Sequence, residues 1–172
     1  LEMINWSSTN NCFHLTLYNY NSSEMQKINL KEIYNNANRY YSNKDYEKAK
    51  DLYLSILKHA PQHPETNNNL GLTYRNLNQI EEAINCFKTA LKINENYVIA
   101  LNNLAKCQQE VNLISESIKN FEKSLKLDPN KKKTFEEYAY TLFKANEHEK
   151  ALKYLDKSVG TINFSHEKVS IS

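Results

Sequence analysis

The feature that most constrains this chain is a repeat of 34 residues, four copies of which follow one another without an insertion or a deletion. The register is clearest at position 20 of each copy, where a small residue recurs as Ala49, Ala83, Ser117 and Ala151. A fixed period of this length is typical of solenoids, in which each unit packs only on its neighbours. The repeat therefore indicates the class of fold before single-residue propensities are considered.

The register divides the chain into an N-terminal arm (1–29), the repeat array (30–159) and a C-terminal extension (160–172). The repeats span residues 30–63, 64–97, 98–131 and 132–159. Each contains two runs whose apolar residues recur at helical spacing, for example Ile33, Ala37 and Tyr40. We predict a helix A and a helix B per repeat, with the first helix B ending near Ala60 because Pro61 follows it.

The sizes of the apolar residues predict that the helices pair as hairpins. Position 8 is small in every repeat, like position 20, so helices A and B can approach closely, and a large residue at position 24 fills the seam to the next hairpin. The residues at position 8 are Ala37, Gly71, Ala105 and Ala139, and those at position 24 are Tyr53, Phe87, Phe121 and Leu155. No hairpin buries this apolar face alone, so the hairpins are expected to stack.

The two ends of the chain do not share the repeat. In the arm, Phe13, Leu15 and Leu17 alternate with polar residues, which predicts a short strand or an irregular arm. The first two residues, before Met3, resemble a cloning remnant, so part of the arm is expected to carry no selected function. The extension contains two short β-prone runs, which either form a small hairpin or begin a further domain.

Composition and charge exclude several classes of function. The 22 basic and 20 acidic residues are interspersed, so no large basic surface for nucleic acid is expected. No apolar run approaches the roughly 18 residues of a membrane span. Cys12, Cys86 and Cys107 are odd in number and lack a CxxC spacing, which favours a reducing, cytoplasmic location over a disulfide framework.

Motifs for catalysis, metal binding or cofactor binding are not found. His59 and His63 have the spacing of a helical metal pair, but Pro61 between them breaks the helix face, so both are expected in a loop. Adjacent carboxylates point about 100° apart on a helix and do not make an acid and base pair. No glycine-rich phosphate loop or zinc-binding helix motif occurs. We therefore predict a protein that is not an enzyme and has no cofactor or metal.

The pattern of the second repeat resembles that of the tetratricopeptide repeat family. The resemblance is carried by Leu70, Gly71, Tyr74, Ala83, Phe87, Ala90 and Leu91, and it extends over residues 30–159. Modest departures are Asn36, Gln108 and Ser117, which stand where Leu, Tyr and Ala are usual. The resemblance implies an all-α superhelix of four antiparallel hairpins whose concave face is lined by the A helices. It also implies a scaffold that binds peptide segments or partner proteins.

The candidate binding residues are the A-helix positions that remain after the core positions are removed. Positions 2, 5, 6, 9 and 12 are expected to face solvent. From these positions we predict peptide contacts by Tyr34, Asn35, Asn38, Asn68, Asn69, Arg75, Asn102, Asn103, Lys106 and Tyr140. Asparagine recurs at position 6 in three successive repeats and is replaced by Glu137 in the fourth.

A carboxamide has two donors and an acceptor oxygen, so regularly spaced asparagines can pair with the main chain of an extended peptide. The recurrence resembles the asparagine ladders of peptide-binding members of the family. Chaperone co-factors of the family instead hold a terminal carboxylate with a lysine, two asparagines and a further lysine and arginine. Here Asn38 and Asn69 match the two asparagines, but Tyr34, Ile99 and Asn103 stand where the cations should be, so binding of the acidic chaperone tail is not expected.

Two other roles remain compatible with the sequence. The chain could be the repeat segment of a larger enzyme of glycosyltransferase, sulfotransferase or oxygenase type, whose catalytic domain lies outside these residues. It could also associate with itself through the ends of the array, because the last hairpin lacks an evident polar capping helix. The leading prediction is a scaffold for a protein or peptide partner, without nucleic acid or membrane.

Overall fold

The fold was examined in a computed structural model, which describes residues 4–9, 12–19 and 26–159, with side chains from Asn29 to Ser158. Residues up to Ala100 form one compact unit and residues from Leu101 form another. We call them the first unit and the second unit and describe each by itself. The predicted C-terminal extension, including Gly160, lies outside the described residues.

Eight α-helices follow one another in the described chain, two in each predicted repeat. They are α1 (Leu30–Ser42), α2 (Tyr46–His59), α3 (Pro64–Asn76), α4 (Ile80–Ile93), α5 (Val98–Glu110), α6 (Ile114–Leu127), α7 (Lys132–Lys144) and α8 (His148–Val159). The prediction of a helix A and a helix B in each repeat is confirmed. His59 ends α2, so the expectation that it lies in a loop is wrong.

Local sequence sets the starts of the first three helices. The side chains of Asn29 and Asp45 accept hydrogen bonds from the backbone amides of the third helical residues of α1 and α2. His63 does the same for α3 through Nδ1, and Pro64 follows in the first turn, where its missing amide hydrogen is not needed. His63 therefore lies in the loop between α2 and α3, as expected, and caps α3.

The turn between helix A and helix B uses the same backbone conformation in every repeat. The residue at position 15 has a φ angle between 60° and 62°, and it is Lys44, Asn78, Asn112 or Asn146. Asparagine tolerates this left-handed region better than most residues. Three of the chain's 25 asparagines are thus explained by turn geometry rather than by composition or by binding.

Packing inside the hairpins follows the predicted pattern of small and large residues. All four residues at position 8 are buried, as are Ala49, Ala83, Ser117 and Ala151 at position 20. The closest fit is at Gly71, where an added Cβ would lie 2.7 Å from Cε1 of the buried Phe87 ring. Ser117, which replaces the usual Ala, donates its hydroxyl to the carbonyl oxygen of Ala105 at 2.8 Å, so its burial leaves no unpaired polar group.

The arm of the first unit forms three strands, β1 (Ile4–Thr9), β2 (Cys12–Asn19) and β3 (Gln26–Asn29). They make an antiparallel sheet in the order β1-β2-β3, and β3 leads directly into α1. The alternating stretch Phe13 to Leu17 lies in β2, in agreement with the predicted strand. The other two strands were not predicted, because their sequences are short and polar.

Candidate functional site

In the first unit, polar side chains connect the two A helices α1 and α3. We call this surface the α1–α3 face and define it by Tyr34, Asn38, Tyr41, Asn69 and Asn76. Asn69 Nδ2 donates to the Tyr34 hydroxyl at 2.9 Å and to Asn38 Oδ1 at 3.2 Å. Asn76 Nδ2 donates to the Tyr41 hydroxyl at 3.0 Å. Every member of the face is a neutral hydroxyl or carboxamide, and the helices are joined without ion pairs between these members.

Two further residues, both buried, extend this network. The Tyr53 hydroxyl, on helix α2, donates to Asn38 Oδ1 at 2.6 Å, and Asn68 Nδ2 donates to Asn69 Oδ1 at 3.2 Å. Burial raises the pKa of both the Tyr34 and the Tyr53 phenols, so both hydroxyls keep their protons at neutral pH. The phenols therefore remain available as hydrogen-bond donors.

Charged and titratable groups border the α1–α3 face at the start of α3. His63 Nδ1 lies 3.6 Å from Glu65 Oε2, and the His63 ring packs edge-on against Tyr34 with centroids 5.8 Å apart. Burial, and then the neighbouring Glu65 carboxylate, raise the pKa of Tyr97 to about 12. This border is aromatic and carries one carboxylate, so it does not attract an anionic ligand.

In the second unit, α5 and α7 are joined at three levels. We call this surface the α5–α7 face and define it by Asn102, Lys106 and Gln109 on α5 and by their partners on α7. Asn102 Nδ2 donates to the hydroxyl of Thr134 at 3.0 Å, and Gln109 Nε2 donates to that of Thr141 at 2.6 Å. Between these two hydrogen bonds, Lys106 forms an ion pair with Glu137.

Most of the predicted binding residues have accessible side chains. Asn35 and Tyr140 are exposed, Tyr140 at 56%, and Lys144 lies over the Tyr140 ring. The half-buried residues are Tyr34, Asn38, Asn69, Arg75, Asn103 and Lys106. Lys106 already has an acidic partner in the protein, so it is less available to pair with an acidic side chain of a ligand.

The expectation that Asn68 and Asn102 face solvent is wrong. Their side chains are only 2% and 8% exposed, respectively. Successive residues point about 100° apart around a helix, so a face that exposes position 6 turns position 5 toward the interior. Asn102 there bonds to Thr134 and Asn68 bonds to Asn69, so both residues act in packing.

The sequence did not identify the residues that hold the side chains of the candidate binding residues in place. Tyr53 was assigned only a packing role, and Asn76 and Glu137 were not among the candidates. One signal was available, because Tyr53 is the only residue at position 24 that carries a hydroxyl. Glu137 replaces asparagine at position 6 of the fourth repeat, next to Lys106 at position 9 of the third. The opposite charges of these two residues were a second signal in the sequence.

The described residues do not contain a cluster of three or more histidine, cysteine or acidic side chains that could hold a metal ion. Across the same part of the chain, every helix is too short or too polar to cross a bilayer. Cys86 and Cys107 do not form a disulfide, and burial raises the pKa of Cys86 to about 12, so this thiol stays protonated and unreactive at neutral pH. The polar groups of the two faces are suited to hydrogen bonding.

Comparison with known proteins supports this description. Models of the tetratricopeptide repeat match residues 64–97 and 98–131, which are the second and third repeats. YrrB, described as a TPR protein with an unusual peptide-binding site, is 25% identical with a TM-score of 0.68, and the match covers 76% of this chain and 67% of YrrB. No curated protein sequence matches the chain.

Two further solved structures share the fold at lower identity. MamA of Desulfovibrio magneticus RS-1 is 17% identical with a TM-score of 0.70, and the match covers 76% of this chain and 73% of MamA. The first TPR domain of Spaghetti (RPAP3), bound to the HSP90 peptide SRMEEVD, is 21% identical with a TM-score of 0.60, covering 73% of this chain and 92% of that domain. These likenesses define the class of fold, which is that of the all-α helical-repeat proteins. The matches show that residues 64–131 are tetratricopeptide repeats, a type of repeat found in protein-interaction scaffolds.

Proposed function

We propose that this protein is a non-enzymatic interaction module that binds an extended peptide segment of a partner protein on the A-helix faces of its hairpins. The observation that carries the proposal is the α1–α3 face. Its carboxamides are held by neighbouring side chains, yet Asn38 and Asn69 are only half-buried. Ordered, accessible amide groups suit the main chain of an extended peptide, which presents alternating donors and acceptors.

The similar proteins support a peptide as the ligand class. YrrB is named for a peptide-binding site, and the RPAP3 domain was solved with a bound peptide. The acidic terminal tail carried by that peptide does not suit this chain, because Tyr34, Ile99 and Asn103 stand where the family's carboxylate-binding cations would be. We therefore propose recognition of the peptide main chain rather than of a terminal carboxylate.

The cellular compartment of the protein is part of the same proposal. Cys86 and Cys107 do not form a disulfide, which is compatible with a reducing compartment and supports an intracellular partner. A cytoplasmic partner with an unstructured segment would supply the extended peptide that the A-helix faces require.

The proposal can be tested with peptides selected on the intact chain from a random linear display library. The selected peptide is synthesised, and its affinity is measured by calorimetry for the wild type, for Asn35→Ala and for Asn85→Ala. Asn35 is exposed on α1, and Asn85 is exposed on helix B of the second hairpin and serves as the matched control. Loss of one hydrogen bond should weaken binding about 2- to 10-fold in Asn35→Ala alone. Equal affinities in all three proteins, or selection of no peptide, would contradict the proposal.

A further inference from the structure

Helices α1 and α3 and the loops before α3 and α5 bring one carboxylate and two phenol rings together. We call this group the Glu65 cluster and define it by Tyr34, His63, Glu65 and Tyr97, all of which belong to the first unit. His63 Nδ1 lies 3.6 Å from Glu65 Oε2, and the His63 and Tyr34 ring centroids are 5.8 Å apart. Burial raises the pKa of both phenols, and the Glu65 carboxylate raises each of them further. Both rings therefore lie within electrostatic range of this carboxylate.

The Glu65 cluster is accessible to a ligand. The side chains of His63 and Glu65 are 40% and 51% exposed, respectively, and Tyr34 and Tyr97 are half-buried. The Tyr34 hydroxyl already accepts a hydrogen bond from Asn69, so the part of Tyr34 that is left for a ligand is its ring. The face of an aromatic ring carries partial negative charge, and the carboxylate carries a full negative charge. The cluster is therefore a negative surface, which suits a cation.

A cation of the chain itself does not occupy this surface. Lysine or arginine side chains lie over other tyrosine rings, which are those of Tyr40, Tyr138, Tyr140 and Tyr154. Within the described residues, neither Tyr34 nor Tyr97 has such a cation over its ring, and the His63 imidazole is the only group within ion-pair distance of Glu65. A ligand cation would therefore not compete with a lysine or arginine of the first unit.

We propose that the Glu65 cluster binds an arginine side chain of the bound peptide, so that the first unit selects peptides by a basic residue as well as by their main chain. This inference rests on the proposed function for its ligand. A guanidinium group can donate two parallel hydrogen bonds to a carboxylate and can also stack on an aromatic ring. The ammonium group of lysine is a point charge without this planar fork, so arginine fits a carboxylate beside two rings better.

The proposal is tested first with peptides selected on the wild type, which should contain an arginine. Citrulline has nearly the shape of arginine without its charge, and its introduction should weaken binding about 3- to 10-fold. Glu65→Gln should weaken binding of the arginine peptide by a similar factor and should bind both peptides alike. Glu81→Gln is the matched control, because Glu81 is exposed and is the second residue of α4, as Glu65 is of α3. A selected peptide without arginine, or equal affinities in wild type and Glu65→Gln, would overturn the proposal.

An exchange of charges separates a binding role of Glu65 from a structural one. A peptide whose arginine is replaced by glutamate should bind weakly to the wild type, because two carboxylates would then face each other. In Glu65→Arg this peptide should regain at least about threefold in affinity, whereas the arginine peptide should lose affinity. If Glu65 acted only on the start of α3, both peptides would be weakened alike. That result would overturn the proposal.

The contribution of the aromatic rings is tested at Tyr97. Tyr97→Phe keeps the ring and should leave the affinity within about twofold of the wild type, whereas Tyr97→Leu should weaken binding about 2- to 5-fold. The loss in Tyr97→Leu should disappear with the citrulline peptide, because a neutral side chain is not attracted to the ring in the same way. Equal affinities in the two variants would overturn the assignment of this ring to the cation.

Two changes to the peptide distinguish arginine from other cations. Replacement by lysine should weaken binding about 2- to 5-fold, and acetylation of the peptide N-terminus should leave the affinity unchanged. Equal affinity with lysine, or a loss on acetylation as large as that with citrulline, would overturn the choice of arginine.

Failure of this inference can be told apart from failure of the proposed function. If no peptide is selected, the proposed function fails, and the cluster is then probed with N-acetyl-arginine methylamide in ¹⁵N-labelled protein. The backbone amide signal of Glu65 should shift with this probe and not with its citrulline analogue, and the shift should be lost in Glu65→Gln. Equal responses to the two probes, or no response to either, would overturn the assignment of a cation site.

Discussion

The same two repeat positions connect A helices within each unit, but the type of contact differs between the units. Position 9 of one repeat meets position 6 of the next as Asn38 with Asn69 in the first unit and as Lys106 with Glu137 in the second. The first contact is a neutral hydrogen bond within a network that includes Tyr34 and Tyr53, and the second is an ion pair. The repeat geometry therefore fixes where the contact is made and leaves its chemistry open.

The two kinds of contact leave different polar groups accessible on each face. The carboxamides of Asn38 and Asn69 are held by neutral hydrogen bonds and are only half-buried, so the α1–α3 face is ordered and keeps accessible polar groups. In the α5–α7 face the lysine and the carboxylate neutralise each other. A partly exposed ion pair of this kind contributes only about 0 to 1 kcal/mol. The first unit is accordingly the better candidate for peptide recognition.

The largest expected effect comes from moving the tyrosine hydroxyl between the units. Phe121→Tyr places a hydroxyl in a fully buried site of the second unit, where Lys106 stands in place of Asn38 and has no acceptor atom. Overpacking and an unpaired polar group should lower the free energy of unfolding by about 2 to 4 kcal/mol. Urea unfolding followed by circular dichroism measures this, with Tyr53→Phe expected to lose only about 1 kcal/mol. A Phe121→Tyr protein as stable as the wild type would remove this distinction between the units.

The next effect concerns the network of the α1–α3 face. Asn69→Ala removes the donor to Tyr34 and Asn38 and the acceptor for Asn68. The free energy of unfolding should fall by about 1 to 2 kcal/mol, because the partners are half-buried or buried. Asn35→Ala, at the same repeat position on α1 but exposed, should stay within about 0.5 kcal/mol in the same urea experiment. Equal losses in the two variants would show that the network adds nothing beyond helix propensity.

A smaller effect is expected from the ion pair of the α5–α7 face. Lys106→Met should lower the free energy of unfolding by less than about 1 kcal/mol at low ionic strength, because the pair is partly exposed. The loss should vanish in about 1 M sodium chloride, where the screening length is only about 3 Å. The loss in Asn69→Ala, which involves no charge, should be the same at both salt concentrations. A salt-dependent loss in Asn69→Ala would contradict the neutral description of the first unit.

The smallest effect concerns Tyr97 at the border of the α1–α3 face, and it is expected only at alkaline pH. Burial raises its pKa to about 12, above the ordinary value of about 10. The folded state therefore holds this proton more tightly, so the linked stability is present below pH about 10 and is lost as the pH rises toward about 12. Tyr97→Phe should show a shallower decline of stability over this range, measured by urea unfolding at several pH values. Parallel declines in the two proteins would show that Tyr97 does not contribute.

Much of the fold could be predicted from the sequence, because the same packing requirements recur every 34 residues. The small residues such as Gly71, the large residues such as Phe87 and the breaks such as Pro61 recur in register, and they set the helices and the hairpins. The left-handed asparagines of the turns were missed because Asn78 and Asn112 look like any other asparagine until the backbone angle is known.

The candidate site was less predictable than the fold. Position 5 was expected to be exposed, yet the burial of Asn68 depends on a rotation of the helix that an apolar pattern fixes only approximately. The direction of the Asn38 amide depends on two partners on other helices, Tyr53 on α2 and Asn69 on α3. Hydrogen-bond direction of this kind does not repeat along a sequence, so it becomes apparent only in the folded structure.

Binding of an extended peptide to the A-helix face of the first unit can be measured by titrating ¹⁵N-labelled protein with the selected peptide and following the side-chain amide signals of asparagine. We expect the signals of Asn35, Asn38 and Asn69 to shift together on binding, while those of Asn85 on α4 and Asn120 on α6 remain in place. Shifts confined to Asn85 and Asn120, with those of α1 and α3 unchanged, would contradict it.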